Sequence, residues 1–342
     1  MAASGKTKFR LYAPGRRLRM FDMSERRRLT GSTGIAALFA AAALVLFRFA
    51  MSVWPSTTFA SDALWSTALK HLIIICLIPL LASGLMQFAK KPSARFVLGS
   101  GHKSAYIPLS ILTGVALALM TSGASLLMSR VFPDLTFAVV PPLLTDAIVP
   151  LKSTLPAHLL VIVLGVVLSS ATLTLLTFGY VAPCLDIGWH RLRAVLGSAC
   201  FFALLFASTD LLPAMLAVGF CLALIRLNTD SLYAAIAALS AYLLAGFFRS
   251  TILQQLSLIF FGQIRLDAEN TYQLALIILL SGAALCVPSF VFLSGMWNDQ
   301  HKERLREALS AVGDKPLPQE PDRPLDLPFL LSLALLAGAL LI

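Results

Sequence analysis

Charged residues are scarce in this sequence, and their scarcity excludes a water-soluble fold. Only 13% of the 342 residues are charged, whereas soluble domains average about 25%. Hydrophobic residues make up 58% of the chain, and its mean hydropathy is +0.83. A soluble core cannot bury that much apolar surface, so the composition predicts an all-α protein, a polytopic transmembrane helix bundle.

Paired cysteines and nucleotide, zinc or hydrolase motifs are also missing. No C-x-x-C pair occurs, and single cysteines in apolar stretches are typical of packing residues rather than disulfides. The sequence contains no G-x-x-x-x-G-K-[ST], H-E-x-x-H, G-x-S-x-G or G-x-G-D motif, and we expect no cofactor. The five cysteines are Cys76, Cys184, Cys200, Cys221 and Cys286.

The first 30 residues form a basic tail. They contain nine Lys and Arg residues against Asp22 and Glu25, a net charge of +7. Such a tail is compatible with nucleic acid, a transit peptide or anionic lipid as its target. The positive-inside rule favours a cytoplasmic tail that lies against an anionic leaflet, so we expect the lipid bilayer as a partner and no nucleic acid. We expect no signal-peptide cleavage, because the charged region is too long.

The apolar stretches after this tail set the number of predicted spans. A bilayer core of about 30 Å requires roughly 20 apolar residues per helix. We therefore expect a basic tail (1–33), a bundle of about eight spans (34–293), a polar cytoplasmic segment (294–326) and a terminal apolar helix (327–342). The last is either a truncated span or an interfacial helix. The eight stretches are about 34–53, 66–89, 105–128, 157–178, 194–209, 211–226, 231–248 and 272–293.

The loops between the stretches predict the orientation. Cations follow the second, fourth and eighth stretches, whereas the loop 129–156 contains only Arg130 and Lys152. Positive loops on alternate sides place the N-terminus in the cytoplasm and residues 129–156 outside. We expect an integral, multi-pass protein of a plasma membrane, the bacterial inner membrane.

Ionisable residues within predicted spans are the candidate functional residues. Arg48, Lys70 and His71 lie near predicted span ends, where long side chains reach the interface, and we interpret them as structural. The other ionisable residues concentrate in one region of the sequence. They are Asp186, His190, Arg191, Asp210, Arg226 and Asp230.

Three motifs of this region resemble the CAAX protease and bacteriocin-processing (CPBP) family of intramembrane proteases. The run 216–236, with R-L-N-T-D-S-L, is similar to its R-x-x-T-G-S-L turn. The run 182–191, A-P-C-L-D-I-G-W-H-R, resembles A-P-x-x-E-E-x-x-x-R, and 204–210 resembles F-x-x-x-H. The resemblance covers about residues 157–248. It implies a helical core there and cleavage of prenylated or leader-peptide substrates.

The catalytic positions of this resemblance are only partly occupied by suitable groups. The two glutamates fall on Asp186 and Ile187, the first histidine on Asp210 and the second on Leu239, whereas the arginine is present as Arg191. The implied chemistry needs a glutamate to activate water and histidines to polarise the substrate oxygen. The resemblance therefore gives Asp186, His190, Arg191 and Asp210 as candidate catalytic residues of a degenerate site.

A structural interpretation of the same residues stands beside this one. Asp186 would form an ion pair with Arg191 or Arg193, and Asp210 would cap a helix that starts near Leu211. Asp186, His190 and Asp210 supply at most three metal ligands, so we predict no metal site.

Three functions remain open. The first is a catalytically degenerate protein that binds a membrane protein or peptide, the second an intramembrane endopeptidase with an altered site, and the third a small-solute carrier. Carriers contain internal repeats, and no second copy of the 182–236 pattern occurs. The missing glutamate and histidines favour the first.

Overall fold

A computed structural model describes most of the chain, and the part that it describes is helical. It describes residues 10–11, 19–20, 23–53, 63–92, 94–99, 106–133, 137–145, 155–188, 191–206, 208–262, 268–312 and 327–340. Within these ranges the strands are one short antiparallel pair, β1 (Arg10–Leu11) and β2 (Arg19–Met20). The predicted all-α class is confirmed.

The described part of the chain contains fourteen α-helices. They are α1 (Met23–Val53), α2 (Ala63–His71), α3 (Ile78–Lys90), α4 (Ala94–Leu98), α5 (Tyr106–Val131), α6 (Leu155–Val161), α7 (Ser169–Thr174), α8 (Ala182–Gly188), α9 (Arg191–Leu205), α10 (Leu212–Thr229), α11 (Leu232–Phe247), α12 (Arg249–Phe261), α13 (Ala268–Val312) and α14 (Leu327–Ala339).

Five described helical runs are long and apolar enough to cross a membrane. A sixth arises if α11 and α12, which meet at a bend of 65°, count as one broken span. Three further apolar helices, at 34–50, 192–205 and 328–339, are shorter. These helices are compatible with a multi-pass membrane protein, but the predicted number of about eight spans is not confirmed. The five runs are Leu64–Phe88, Tyr106–Val131, Pro156–Asp186, Leu212–Thr229 and Glu269–Leu293.

Two of these runs contain π-helical segments. One segment, Leu72–Leu77, joins α2 to α3; two others, Ile162–Leu168 and Leu175–Val181, flank α7. In a π-helix the backbone hydrogen bonds join residues five positions apart, so each turn is wider than in an α-helix. After the second segment, both the backbone N–H and the hydroxyl of Ser169 donate to the carbonyl of Leu164, five residues earlier. Each of these two membrane-length runs is therefore continuous but locally unwound.

Helix α5 packs closely against α11 and α13 because small residues lie at the contacts. A Cβ atom built on Gly114 of α5 would lie 2.1 Å from the carbonyl oxygen of Ala238 on α11. One built on Gly282 of α13 would lie 2.7 Å from the backbone nitrogen of Met120. Close backbone approach at small residues is the usual way in which helices associate within lipid.

The bundle has two ends, which we name by one residue at each. At the Gly99 end, Gly99 forms an antiparallel bridge with Ser231, where α10 ends and α11 begins. At the Val140 end, Val140 packs on Gly246 near the end of α11. Helix α5 therefore extends from the first end, at Tyr106, to the second.

Residues 137–145 fold back into the bundle at the Val140 end. Val139, Val140 and Leu144 are each at most 5% exposed. Side chains from two helices bind the backbone of this segment: the Tyr242 hydroxyl donates to the Val139 carbonyl at 2.7 Å, and Ser125 donates to Phe137 at 2.6 Å. The sequence predicted that this segment belongs to a loop outside the membrane; its packing against helices leaves that orientation a prediction.

Candidate functional site

Arg226 lies in the last turn of α10 and has no exposed surface. Its Nε donates to the carbonyl of Phe178 at 3.0 Å. Its Nη2 donates to the carbonyls of Phe96 and Val97 at 3.1 and 3.0 Å. Its Nη1 lies 2.9 Å from Oδ1 of Asp230. A buried charge is tolerated only when it is paired and hydrogen-bonded, and Arg226 meets both conditions with groups of this chain.

Asp230 forms the turn that follows α10. Its backbone is left-handed (φ 52°, ψ 34°), and its N–H donates to the carbonyl of Arg226 at 3.1 Å. Aspartate tolerates this conformation better than most residues. Its carboxylate accepts from Arg226 on the same turn, so one residue both ends the helix and neutralises the buried cation.

Gly99 completes this arrangement, which we call the Arg226 clamp: Arg226, Asp230 and the segment 94–99. Gly99 has φ +88°, and a Cβ atom on it would lie 1.7 Å from the carbonyl oxygen of Asp230. Only glycine fits against the turn at this position. The turn that most resembles the CPBP motif therefore binds another part of its own chain.

The Arg226 clamp has little capacity for acid–base chemistry. A general base needs a carboxylate or imidazole within hydrogen-bond reach of a substrate proton. The Asp230 carboxylate is occupied by Arg226, and both residues are at most 8% exposed. The side chain of Arg226 instead links α10 to α4 and to the π-helical segment before α8, at the Gly99 end.

The structure does not bring Asp186 and Asp210 together. Asp210 lies in the exposed turn before α10, where its carbonyl accepts from the N–H of Ala138, at the Val140 end. Leu144 of the same end packs on Gly165. Asp186 follows Gly165 by 21 residues in one helical run, about 30 Å at 1.5 Å per residue. The two carboxylates therefore lie toward opposite ends of the bundle.

The predicted cap at Asp210 is wrong. Helix α10 begins at Leu212, its N-cap residue is Leu211, and no side chain caps it. The Asp210 carboxylate instead accepts a long hydrogen bond of 3.4 Å from the hydroxyl of Thr209. Proline at Pro213 removes one of the N–H groups that a cap would otherwise satisfy.

The environment of Asp186 also differs from the predicted ion pair with Arg193. Asp186 is half-buried, and its Oδ1 atom is buried without a hydrogen-bond partner in the part of the chain that the structure describes. Arg193 is exposed on α9. His190 lies outside the described residues, and so does the side chain of Arg191, the first residue of α9. Among described residues, no group of three His, Cys, Asp or Glu side chains converges on a metal position.

Leu239 occupies the position that the resemblance assigns to the second histidine. It lies on α11, fully buried. Phe206, which the resemblance places four residues before the first histidine, is 7% exposed and packs edge-on against Phe202, with ring centroids 5.4 Å apart. Both positions are part of the apolar core and supply no donor to a substrate oxygen.

A polar cluster that was not predicted from the sequence lies around His71. We call it the His71 cluster: His71, Cys76, Ser169 and Thr172. His71 was predicted to reach the interface, yet it is only 6% exposed. Its Nε2 lies 2.7 Å from the Ser169 hydroxyl, and the Cys76 sulfur lies 3.7 Å from the same oxygen. Thr172 donates to the carbonyl of Ile75 at 3.1 Å. The interfacial interpretation of His71 is wrong because a serine in the neighbouring run provides a buried partner.

One signal in the sequence could have indicated this cluster. The fourth apolar stretch contains Ser169, Ser170, Thr172 and Thr174 within six residues, an unusual density of hydroxyls for a lipid-facing helix. The π-helical segments were not predictable from it. His71 and Cys76, five residues apart, reach one serine across a π-helical segment. Such segments occur often at functional sites.

Comparison with known proteins adds no family. No protein-family model, curated protein or solved structure matches the chain.

Proposed function

We propose that the chain is an integral membrane protein of CPBP-like architecture that binds a membrane protein or peptide and does not hydrolyse it. The Arg226 clamp is the observation that carries this proposal. In the motif with the strongest CPBP resemblance, the cation and the carboxylate are bonded to each other, and the cation also donates to the segment 94–99. A motif used in this way supports the fold at the Gly99 end and is not available to act on a substrate.

The remaining candidate residues support the same proposal. Hydrolysis of a peptide bond needs a base that activates water and a donor that stabilises the developing oxyanion, held in one place. Asp186 and Asp210 are separated by most of the bundle length, and the side chain of Leu239 has no polar atom. A displacement of only 1 Å of a catalytic group costs about 10²-fold in rate. No measurable hydrolysis is expected by the route that the resemblance implies.

A cleavage assay tests this proposal. Wild-type protein and Asp186→Ala are purified into lipid nanodiscs and incubated with a prenylated peptide and with a leader peptide. We expect both proteins to give no product above empty nanodiscs, and Asp186→Ala to show the same yield and monodispersity as wild type. Cleavage by the wild type that Asp186→Ala abolishes would establish the altered-site endopeptidase instead.

The His71 cluster favours one second candidate, a small-solute or proton carrier. Its ionisable residue is buried within a membrane-length helical run, and such residues often mark ion pathways. Proton flux into proteoliposomes, followed with an entrapped pH-sensitive dye, tests this function, with Lys70→Ala as the control because Lys70 is exposed. Flux above empty liposomes that only His71→Ala abolishes would favour the carrier. Equal flux in all samples contradicts it.

A further inference from the structure

An apolar groove lies between α1 and α14, and none of its lining residues belongs to the Arg226 clamp or the His71 cluster. Its volume is about 330 Å³. Its walls contain no charged side chain, and one of them is open, since Leu331 is 48% exposed. The groove is lined by Val45, Leu331, Ala334, Leu335, Gly338 and Ala339.

The length of the groove fits one lipid chain. On α14 the lining extends from Leu331 to Ala339, about 12 Å at 1.5 Å per residue. Half of a bilayer core, the depth of one leaflet, is about 15 Å. A groove of this length, open at its side, accommodates most of an acyl chain that lies parallel to the helices.

Arg48 lies at one end of the groove. It is half-buried and follows Val45 by one turn, near the end of the apolar stretch Gly34–Ala50. Its Nη1 donates to the carbonyl of Ala339, at the end of the lining. A guanidinium has five N–H donors in a planar fork that matches the oxygens of a phosphate. The groove thus combines an apolar channel with a cation at its mouth.

We propose that this groove binds a phospholipid, with one acyl chain between α1 and α14 and the phosphate on Arg48. An apolar wall of one-leaflet length with a cation at one end matches the two chemical parts of such a lipid. This site is independent of the proposed function, because none of its residues belongs to the Arg226 clamp or to the CPBP-like region 157–248.

Gly338 allows the groove to be filled without disturbing the fold. A Cβ atom on Gly338 meets no atom within 4 Å, and the same is true of Gly84 on α3. Gly338→Leu therefore fills the groove, and Gly84→Leu is the matched control on another open face. After delipidation in detergent, dioleoylphosphatidylglycerol should raise the melting temperature of wild type and Gly84→Leu. The increase should be lost in Gly338→Leu, and an equal increase in all three would overturn the proposal.

Arg48→Gln tests the phosphate contact. A cation near a headgroup contributes about 1 kcal/mol, or roughly fivefold in affinity, so the midpoint of the titration with the same lipid should rise about fivefold. Dioleoylglycerol, which lacks the phosphate, should bind wild type and Arg48→Gln equally weakly, and inorganic phosphate should shift neither protein. An unchanged midpoint in Arg48→Gln, or a shift by inorganic phosphate alone, would contradict a phospholipid site.

Discussion

Arg226 and Asp230 face each other one turn apart, with Nη1 and Oδ1 separated by 2.9 Å and the arginine fully buried. The same guanidinium also binds carbonyls of residues that precede it by 48 to 130 positions. One side chain therefore ties the end of α10 to two distant parts of the chain. Each of these bonds is buried, so Arg226 contributes directly to the contact between the three segments.

Replacement of Arg226 should destabilise the protein strongly. Arg226→Met removes the cation that pairs with Asp230 and its bonds to three carbonyls, and breaking a buried pair in this way costs about 3–5 kcal/mol. Arg193→Met, on the exposed side of α9, is the matched control and should behave as wild type. Denaturant unfolding of both variants in detergent micelles measures the difference. Equal stability of the two variants would show that the Arg226 clamp contributes nothing.

Gly99→Ala should weaken the same clamp from its other side. The new methyl group overlaps the carbonyl of Asp230, and alanine must also adopt φ +88°. Strained backbone alone costs about 1–3 kcal/mol, and the overlap adds to it. Gly84→Ala, in open space within α3, should be neutral or stabilising by about 0.5–1 kcal/mol. Thermal unfolding of the pair provides the test, and a Gly99→Ala variant as stable as wild type would refute the tight contact.

The His71 and Ser169 side chains should be energetically coupled. Ser169→Ala leaves the buried Nε2 of His71 without the hydroxyl at 2.7 Å, at about 1–3 kcal/mol. His71→Ala removes one contact of the Ser169 hydroxyl, which still donates to the carbonyl of Leu164. The double variant removes both groups, so it should be less destabilised than the sum of the single variants. Equilibrium unfolding of the four proteins gives the coupling energy of this cycle. Purely additive effects would mean that the contact of 2.7 Å does not contribute.

The predicted orientation places residues 90–104 in the cytoplasm and 129–156 outside. Ala94, the first residue of α4, lies in the first of these segments and Phe132 in the second, and both residues are exposed. In a variant without the five native cysteines, Ala94→Cys should react with an impermeant maleimide only in inverted vesicles, and Phe132→Cys only in intact cells. The reverse pattern would invert the topology.

The apolar stretches of the sequence predicted the helices well and the spans less well. Each of the eight stretches overlaps a described helix or a continuous helical run, since helices satisfy their own backbone groups in lipid. The bend between α11 and α12 was not predicted, because hydropathy does not register a change of direction at Phe248. The packing of residues 137–145 against the helices was also not predicted, since the Tyr242 hydroxyl that binds Val139 lies 103 residues away in the sequence.

The candidate site was predictable only where charge is involved. Arg226 and Asp230 were identified because ionisable residues in or beside an apolar stretch are candidate functional residues, but their ion pair was not predicted. The carbonyls of Phe96 and Val97 were beyond prediction, because any backbone can accept a hydrogen bond. His71 was misinterpreted because a residue near a predicted span end is compatible with both the interface and the interior.

The π-helical segments have a consequence for how this chain tolerates changes in length. A π-helical turn closes between residues i and i+5, so it contains one residue more than an α-helical turn. Deleting one residue from Leu72–Leu77 would convert the turn to α and leave the faces of α2 and α3 in register. The same deletion in the α-helical α5 would rotate every residue beyond it by about 100° and turn its glycine contacts away from α11 and α13. Deletion of one residue should therefore be tolerated within the π-helical segments, whereas the same deletion within α5 should prevent correct folding.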